Sequence, residues 1–120
     1  MIKVLIIDDK VVMLEYLMQL LCTEGYETYG ATDGVEGVEM ALQIQPDVIV
    51  CDIVMPRLDG YGVLKTLREN VATAHTPIIF MSVLPTMYTI NLLLAPNVTT
   101  YLLKPFTYKE FLQTVQASAA

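Results

Sequence analysis

The sequence predicts an α/β domain in which a parallel five-stranded sheet lies between two layers of helices. Short apolar runs alternate along the chain with segments whose apolar residues recur at helical spacing, which is typical of a doubly wound sheet. Two of these runs, Val4–Ile7 and Val48–Cys51, are apolar at every position, so both strands are expected to be buried on both faces. Together these patterns predict a three-layer sandwich of five βα units.

The composition fits one compact domain that spans residues 1–120. The chain is 54% hydrophobic and 17% charged, which supports a full core and excludes a disordered chain. Its formal net charge of −6 argues against a nucleic-acid-binding surface, which needs clustered Lys and Arg. Cys22 and Cys51 make neither a disulfide framework nor a zinc site, and both are expected to be core thiols in a reducing compartment. Without a signal peptide or a membrane-length apolar run, the expected location is the cytoplasm.

Capping residues and apolar periodicity predict the helices. The first helix ends before Gly25, which can adopt the left-handed conformation of a helix C-terminus. Three later helices begin at residues whose side chains can cap them, namely Asp33, Asp59 and Thr107. The residues expected to face the core are Leu14, Leu17, Met18 and Leu21 in the first helix, Val35, Val38 and Leu42 in the second, Leu64, Leu67 and Val71 in the third, and Tyr108, Phe111, Leu112 and Val115 in the last.

Three more strands and one short helix complete the predicted sheet. Residues 27–31 form a less apolar strand, as expected at a sheet edge, and residues 77–82 and 99–103 form the fourth and fifth strands. A short helix is expected over residues 86–95. The strand order 2-1-3-4-5 is expected by analogy with flavodoxin-like sheets, in which an apolar first strand lies centrally.

Polar side chains follow four of the predicted strands. Asp8 and Asp9 follow the first strand, Asp52 ends the third, Ser82 ends the fourth, and Lys104 follows the fifth. Because parallel strands end at one edge, where open α/β sheets bind ligands, these side chains are expected to converge. Clustered carboxylates repel one another and need a cation, for which Mg²⁺ with its preference for oxygen ligands is the natural choice. Asp52 can then act as a nucleophile that forms an aspartyl phosphate, with Lys104 and Ser82 contacting the phosphoryl group.

These residues resemble the signature of the receiver domains of bacterial two-component response regulators. The resemblance extends over residues 2–117, which is nearly the whole chain, and no single motif in it is specific by itself. The matching residues are the acidic pair Asp8-Asp9, the segment that begins at Asp52 and continues through Met55-Pro56 to Gly60, the hydroxyl residue Ser82, and the Tyr101-x-x-Lys104-Pro105 motif.

The resemblance implies a phosphorylation-dependent signalling switch of a two-component phosphorelay. Asp52 would accept a phosphoryl group from a sensor histidine kinase or a histidine phosphotransfer protein. Mg²⁺ or Mn²⁺ would be held by Asp8, Asp9, Asp52 and the backbone carbonyl of Val54. The domain would not be an enzyme in the ordinary sense, although it would assist its own phosphorylation and dephosphorylation.

The resemblance also implies how the signal leaves the site. Ser82 and Tyr101 would be the two switch residues, and Lys104–Pro105 would be a cis peptide bond. The fourth helix, the fifth strand and the last helix would form the surface that changes on phosphorylation. This surface would meet partners and can form a homodimer, whereas direct contact with nucleic acid or membrane is not expected of this domain.

The chain departs from the family pattern at several positions near the site. Lys10 follows the acidic pair where the family usually has an acidic or polar residue, and its charge is expected to reduce the local negative field. Val83 follows Ser82 where the family favours Ala or Gly. Val54 and Leu84, each two residues beyond a site residue, are apolar and cannot hydrogen-bond an attacking water. A long-lived phosphorylated state is therefore expected.

Two other functions remain open from the sequence alone. A phosphatase of the haloacid dehalogenase type also forms an aspartyl phosphate, but such enzymes carry a second acid two residues after the nucleophile, where this chain has Val54. The fold can also be retained only for protein contacts after its chemistry is lost. The presence of all five polar site residues disfavours this last alternative.

Overall fold

The computed structural model describes residues 1–83 and 98–119, and of residues 98 and 99 only the backbone. The helix predicted over residues 86–95 and the position of Leu84 lie outside the described residues. The strands are β1 (Lys3–Ile7), β2 (Glu27–Ala31), β3 (Val48–Asp52), β4 (Ile78–Ser82) and β5 (Val98–Leu103). The described helices are α1 (Val11–Thr23), α2 (Gly34–Ile44), α3 (Gly60–Arg68) and a C-terminal helix (Tyr108–Ala119).

The five strands form one parallel sheet in the order β2-β1-β3-β4-β5, which confirms the predicted flavodoxin-like α/β fold. Every residue of β3 and β4 is buried, whereas β2 at the edge is mostly half-buried. The fully apolar runs thus occupy the centre of the sheet because helices cover both of its faces there. None of the helices in the described parts of the chain has the length and apolar character needed to cross a membrane.

The core consists of two apolar layers, one on each face of the sheet. Successive residues of β1 alternate between them: Leu5 and Ile7 pack toward α2 and α3, whereas Val4 and Ile6 pack toward α1 and the C-terminal helix. All four side chains are fully buried. Burial of each such side chain contributes about 1.5–3 kcal/mol, so the two layers together hold the strand ends in a fixed register.

The predicted helix ends are confirmed by hydrogen bonds and backbone angles. Each capping side chain accepts a hydrogen bond from the backbone N–H three residues further on, at 2.8 Å for Asp33, 2.9 Å for Asp59 and 3.1 Å for Thr107. Gly25 follows α1 with φ of +91°, a conformation that glycine adopts without strain.

The prediction that Val71 faces the core is wrong. The helix α3 ends at Arg68, and the Val71 side chain is 96% exposed. The guanidinium of Arg68 donates hydrogen bonds to the carbonyls of Thr73 and Thr76, at 3.0 and 2.8 Å. These hydrogen bonds pair backbone carbonyls of the irregular loop that follows the helix. Val71 lies in that loop, so the helical spacing that predicted its burial does not apply to it.

Two other expectations of burial are wrong. Cys22 is exposed on α1, whereas Cys51 is buried as expected. Tyr108 is the first residue of the C-terminal helix and is 39% exposed, with its hydroxyl donating a hydrogen bond to the Glu24 carboxylate at the end of α1. Both side chains lie at the boundary of an apolar stripe, where the rotation of the helix decides which residue is covered.

The buried face of α2 is built from smaller residues than predicted. Its buried positions are Gly34, Gly37, Val38 and Ala41, whereas Val35 and Leu42 are half-buried. A Cβ atom on Gly37 would lie 2.5 Å from the Ile7 side chain, so the missing side chain lets α2 approach β1 closely. The apolar periodicity predicted the position of the helix, whereas its glycine and alanine residues determine which side packs against the sheet.

Candidate functional site

The topology brings the predicted polar residues to one edge of the sheet. Asp52 is the last residue of β3, and Asp8 directly follows β1, which pairs with β3 in parallel register. The backbone N–H of Lys104 donates a 2.7 Å hydrogen bond to the carbonyl of Ser82, which ties the end of β5 to the end of β4. One carboxylate oxygen each from Asp8, Asp9 and Asp52 lies within 4.8 Å of the other two. The predicted convergence of the three carboxylates is therefore present.

Backbone amides orient two of these carboxylates. Asp8 Oδ1 accepts a 2.9 Å hydrogen bond from the N–H of Lys10, and Asp52 Oδ1 accepts a 3.0 Å hydrogen bond from the N–H of Ile53. The Asp8 side chain is fully buried and that of Asp52 is 7% exposed, whereas that of Asp9 is 31% exposed. Asp8 Oδ2 and Asp9 Oδ1 accept no hydrogen bond from the described residues. Two oxygens of the cluster thus have no hydrogen-bond donor among the described residues.

Two ammonium groups offset the negative charge. Lys104 Nζ lies 3.6 Å from Asp8 Oδ2 and 3.7 Å from Asp52 Oδ2. Lys10 Nζ lies 3.6 Å from Asp9 Oδ1 and 3.6 Å from Asp52 Oδ2. The sequence predicted the first ammonium in the site, and it predicted from the position of Lys10 directly after the acidic pair that this residue reduces the local negative field. It did not predict which carboxylates the Lys10 ammonium contacts.

Burial and the charges of the site together shift two pKa values. Burial is the largest cause that raises the pKa of the Asp52 carboxyl above its usual range; attraction to Lys104 and Lys10 offsets part of the shift, and repulsion by Asp8 adds to it. Burial, the largest single influence on Lys10, lowers the pKa of its ammonium. The attraction of the three carboxylates outweighs that effect, so the pKa of Lys10 is raised. The site therefore favours bound positive charge.

The arrangement of these oxygens fits a hard divalent cation. Three carboxylates stand together, and two of their buried oxygens lack hydrogen-bond donors among the described residues. Mg²⁺ is bound in proteins by such oxygens and retains several waters. Val54 lies in the loop immediately after Ile53 at the same edge, and its side chain is 77% exposed.

The remaining predicted residues lie around this cluster. Ser82 ends β4 and is 9% exposed, and Lys104–Pro105 is a cis peptide bond as expected. Tyr101 lies further from the edge than these residues, because it is in the middle of β5, where it pairs with Phe80 of β4. The Tyr101 side chain is half-buried against the core layer of α2 and α3, and its hydroxyl has no hydrogen-bond partner within the described ranges 1–83 and 98–119.

An apolar groove beside the site was not predicted from the sequence. A cavity of about 250 Å³ lies between α1 and the C-terminal helix, and Met13, Tyr16, Val83 and Phe106 are among the residues that line it together with Lys104. Tyr16 is 55% exposed and Val83 is 63% exposed. The sequence signal for this groove was the presence of apolar residues on the exposed face of α1. Whether they form a groove depends on how the C-terminal helix packs beside α1.

Comparison with known proteins identifies relatives over most of the chain. The family profile of the response regulator receiver domain matches residues 4–116. The DNA-binding dual master transcriptional regulator RpaA of Synechocystis sp. is 33% identical over 115 residues, which cover 96% of this chain and 48% of that protein. A protein-glutamate methylesterase/protein-glutamine glutaminase of Symbiobacterium thermophilum is 47% identical over 83 residues, which cover 68% of this chain and 22% of that protein. The chain thus spans about half or less of the length of these relatives.

Solved structures give the same assignment. The chemotaxis protein CheY4 of Vibrio cholerae aligns with a TM-score of 0.91 at 30% identity, covering 98% of both chains. The receiver domain of the sensor histidine kinase PA1611 of Pseudomonas aeruginosa PAO1, which has a magnesium ion coordinated in its active site cleft, aligns with a TM-score of 0.88 at 26% identity and covers 98% of this chain and 96% of that one. By sequence, fold and the acidic edge of its sheet, the chain belongs to the family of response regulator receiver domains.

Proposed function

We propose that residues 1–120 form one receiver domain in which Asp52 accepts a phosphoryl group from a phosphohistidine. The observation that carries the proposal is the position of Asp52, which lies in a nearly buried site between two other carboxylates and two ammonium groups. In the reaction, an Asp52 carboxylate oxygen attacks phosphorus, and the new O–P bond forms as the P–N bond of the donor breaks. The electron pair of the P–N bond remains on the imidazole nitrogen.

Charge on the side chains around Asp52 supports this step. The Lys104 ammonium lies close enough to offset the charge of an arriving phosphoryl group, and its side chain is only 12% exposed, so solvent screens it weakly. The Ser82 hydroxyl at the end of β4 hydrogen-bonds a phosphoryl oxygen. The site thereby assists its own phosphorylation and dephosphorylation without turning over a substrate as an enzyme does.

A divalent metal completes the proposed site. Asp8, Asp9, Asp52 and the backbone carbonyl of Val54 would hold Mg²⁺ or Mn²⁺. When bound, the metal supplies positive charge that offsets the phosphoryl oxygens and the repulsion among the carboxylates. Asp8 Oδ2 and Asp9 Oδ1, which accept no hydrogen bond from the described residues, support this assignment.

The phosphorylated site acts on other proteins through a change in surface. Ser82 and Tyr101 are the proposed switch residues, and the proposed responding surface includes β5 and the C-terminal helix. The helix predicted over residues 86–95, outside the described residues, would be its third element. Leu103 on β5 is 49% exposed, which gives the described part of this surface an apolar component. We assign this surface to partner binding or homodimer formation. Sedimentation with and without beryllofluoride tests the dimer, and a monomer in both states contradicts it.

The proposed phosphodonor is a sensor histidine kinase or a histidine phosphotransfer protein. The apolar groove lined by Met13, Tyr16, Val83 and Phe106 opens beside Lys104 and offers a docking surface next to the reacting carboxylate. Free thiols at Cys22 and Cys51 suit a reducing compartment, so the proposed location is the cytoplasm. Neither nucleic acid nor membrane is a proposed partner of this domain.

The test is incubation with Mg²⁺ and acetyl phosphate followed by intact mass spectrometry. The wild type should gain a single phosphoryl group, and Asp52→Asn should gain none. Asp47→Asn is the matched control, because Asp47 is exposed and directly precedes β3 at the end of the strand opposite to Asp52. Turnover of phosphate esters would instead indicate a phosphatase, and no addition in the wild type would indicate a fold that has lost its chemistry.

A further inference from the structure

Lys10 brings a second ammonium group into the acidic site. Its Nζ lies 3.6 Å from Asp9 Oδ1 and 3.6 Å from Asp52 Oδ2, so it stands between two of the carboxylates that would hold a metal. Both distances exceed those of a hydrogen bond, and the attraction is therefore one between charges. The chain itself thus supplies part of the positive charge that three clustered carboxylates require.

The backbone of Lys10 is held at the same site. Its N–H donates a 2.9 Å hydrogen bond to Asp8 Oδ1, and its carbonyl accepts a 2.9 Å hydrogen bond from the N–H of Leu14 in α1. Lys10 is the residue before the first turn of α1 and has an extended backbone, with φ of −91° and ψ of 100°. Because the backbone is fixed at both its N–H and its carbonyl, the ammonium remains within reach of the carboxylates.

The two lysines of the site differ in how firmly they are held. The Lys104 side chain is 12% exposed, whereas that of Lys10 is 64% exposed. An exposed ion pair is weak because solvent screens it, so the Lys10 ammonium can move into solvent at small cost. Among the described cations of the site, Lys10 is therefore the one that an arriving metal can displace.

We propose that Lys10 is a tethered competitor of the divalent metal, whose ammonium must leave Asp9 and Asp52 before the metal can bind there. The inference rests on the proposed function, because metal loading is the step that it controls. With both lysines the site has a formal charge of −1, from three carboxylates and two ammonium groups. Without Lys10 the charge would be −2, which attracts a cation more strongly.

The expected consequence is a higher magnesium requirement. Because the metal must first displace an exposed ion pair, Lys10 weakens metal binding by about fivefold, the factor that corresponds to the strength of such a pair. Lys10 thus raises the Mg²⁺ concentration at which the site becomes ready to accept a phosphoryl group. The effect acts before phosphorylation and is measurable without a phosphodonor.

The first test is calorimetric titration of the unphosphorylated protein with Mg²⁺. Lys10→Gln should bind Mg²⁺ about fivefold more tightly than the wild type, and Lys10→Arg should bind as the wild type does because the charge is retained. Lys65→Gln is the matched control, since Lys65 is exposed in the last turn of α3 and forms no salt bridge within the described residues. Unchanged or weaker binding by Lys10→Gln relative to this control overturns the proposal.

The second test is the melting temperature with and without Mg²⁺. Lys10→Gln should lower the melting temperature of the metal-free protein, because repulsion among the carboxylates is less offset, and should increase the rise produced by Mg²⁺. These opposite changes distinguish a competitor from a solvated surface lysine, which would behave as Lys65 does. If Mg²⁺ raises the melting temperature of Lys10→Gln and of the wild type by the same amount, the proposal is overturned.

Parallel phosphorylation assays separate this inference from the proposed function. Normal phosphorylation of Asp52 together with unchanged Mg²⁺ affinity in Lys10→Gln refutes the role of Lys10 and leaves the phosphoacceptor function in place. Tighter Mg²⁺ binding by Lys10→Gln without phosphorylation of any variant supports the role of Lys10 and refutes the phosphoacceptor function.

Discussion

Lys104 Nζ lies 3.7 Å from Asp52 Oδ2 although β4 separates the two strands that lead to these residues. Two inter-strand spacings amount to about 10 Å, so the lysine side chain must reach across the end of β4. The 2.7 Å hydrogen bond from the Lys104 N–H to the Ser82 carbonyl fixes the backbone from which it starts. The contact places Asp52 in a site where its ionisation depends on nearby positive charge.

Asp52→Asn should stabilise the metal-free protein and weaken its response to Mg²⁺. Because the pKa of Asp52 is raised in the fold, ionisation of its carboxyl opposes folding at neutral pH. Removing that charge should raise the free energy of unfolding by about 1 kcal/mol, a common size for single-site effects. Urea denaturation with and without Mg²⁺ measures both changes.

The pH dependence of this effect has a definite sign. Below the ordinary carboxyl pKa of 3.8, Asp52 is protonated in both states, and the stability difference between wild type and Asp52→Asn should be smallest. As the pH rises through the folded pKa, the wild type should lose stability relative to the variant.

Asp47→Asn serves as the control for both measurements. An equal Mg²⁺ response in Asp52→Asn and the wild type would contradict the shared metal site.

The phosphorylated state should be long-lived. Water must approach phosphorus in line with the leaving carboxylate, and Val54, which follows Asp52 by two residues, is 77% exposed and cannot hydrogen-bond a water through its side chain. Val83 is 63% exposed beside Ser82 and adds bulk there. The predicted result is faster loss of the Asp52 phosphate in Val54→Asn with Leu84→Glu, by about tenfold or more.

Intact mass spectrometry over time measures this decay after the phosphodonor is removed. Val54→Leu is the matched control, because it changes the side chain at the same exposed position but adds no hydrogen-bonding group. If the double variant decays no faster than the wild type, water access does not control the lifetime.

Gly34→Ala should destabilise the protein through the loop that follows Asp52. A Cβ atom on Gly34 would lie 2.0 Å from the Leu58 carbonyl oxygen, a backbone atom that cannot move without displacing the loop. Overpacking of this kind costs about 1–3 kcal/mol. Urea denaturation should show this loss, and acetyl phosphate should label the variant more slowly than the wild type.

Gly25→Ala provides the comparison for this steric effect. Among the described residues other than its two chain neighbours, no atom lies within 4 Å of a Cβ at Gly25. Its φ of +91° disfavours alanine, so a loss of about 1 kcal/mol without slower labelling is expected. Equal labelling rates for Gly34→Ala and the wild type would show that displacement of the Leu58 loop does not affect phosphorylation of Asp52.

The cap of α2 should weaken in acid. The N–H of Glu36 donates to Asp33 and, with Arg57, holds the pKa of the Asp33 carboxyl below its usual value. Because the folded pKa is lowered, the charged cap contributes stability above pH 3.8, and that contribution is lost as the pH falls through the folded pKa. Asp33→Asn retains a capping group that does not titrate, so its stability deficit relative to the wild type should shrink below pH 3.8.

Melting temperatures of both proteins between pH 2.5 and 7, about the range over which carboxyls titrate, measure this difference. Arg57→Gln should show a smaller dependence of the same sign, because the Asp33–Arg57 ion pair is absent while the Glu36 N–H bond remains. A deficit of Asp33→Asn that does not change with pH would contradict the charged cap.

Local chemistry in the sequence determined the strands, the helix caps and the order of the site residues. Four fully apolar positions in β1, the side chains of Asp33 and Asp59, and polar residues at the strand ends each carry their signal within a few neighbouring positions. Parallel topology then requires that the strand ends meet, so convergence of Asp8 and Asp52 was predictable without distances.

Only the tertiary structure decided contacts that depend on how separate elements pack. The place of the Lys10 ammonium between Asp9 and Asp52 depends on where α1 begins relative to the end of β3. The exposure of Val71 depends on hydrogen bonds made by Arg68 in the following loop. These contacts form only when the chain has folded. A local sequence pattern therefore cannot predict the distance between the residues that they join.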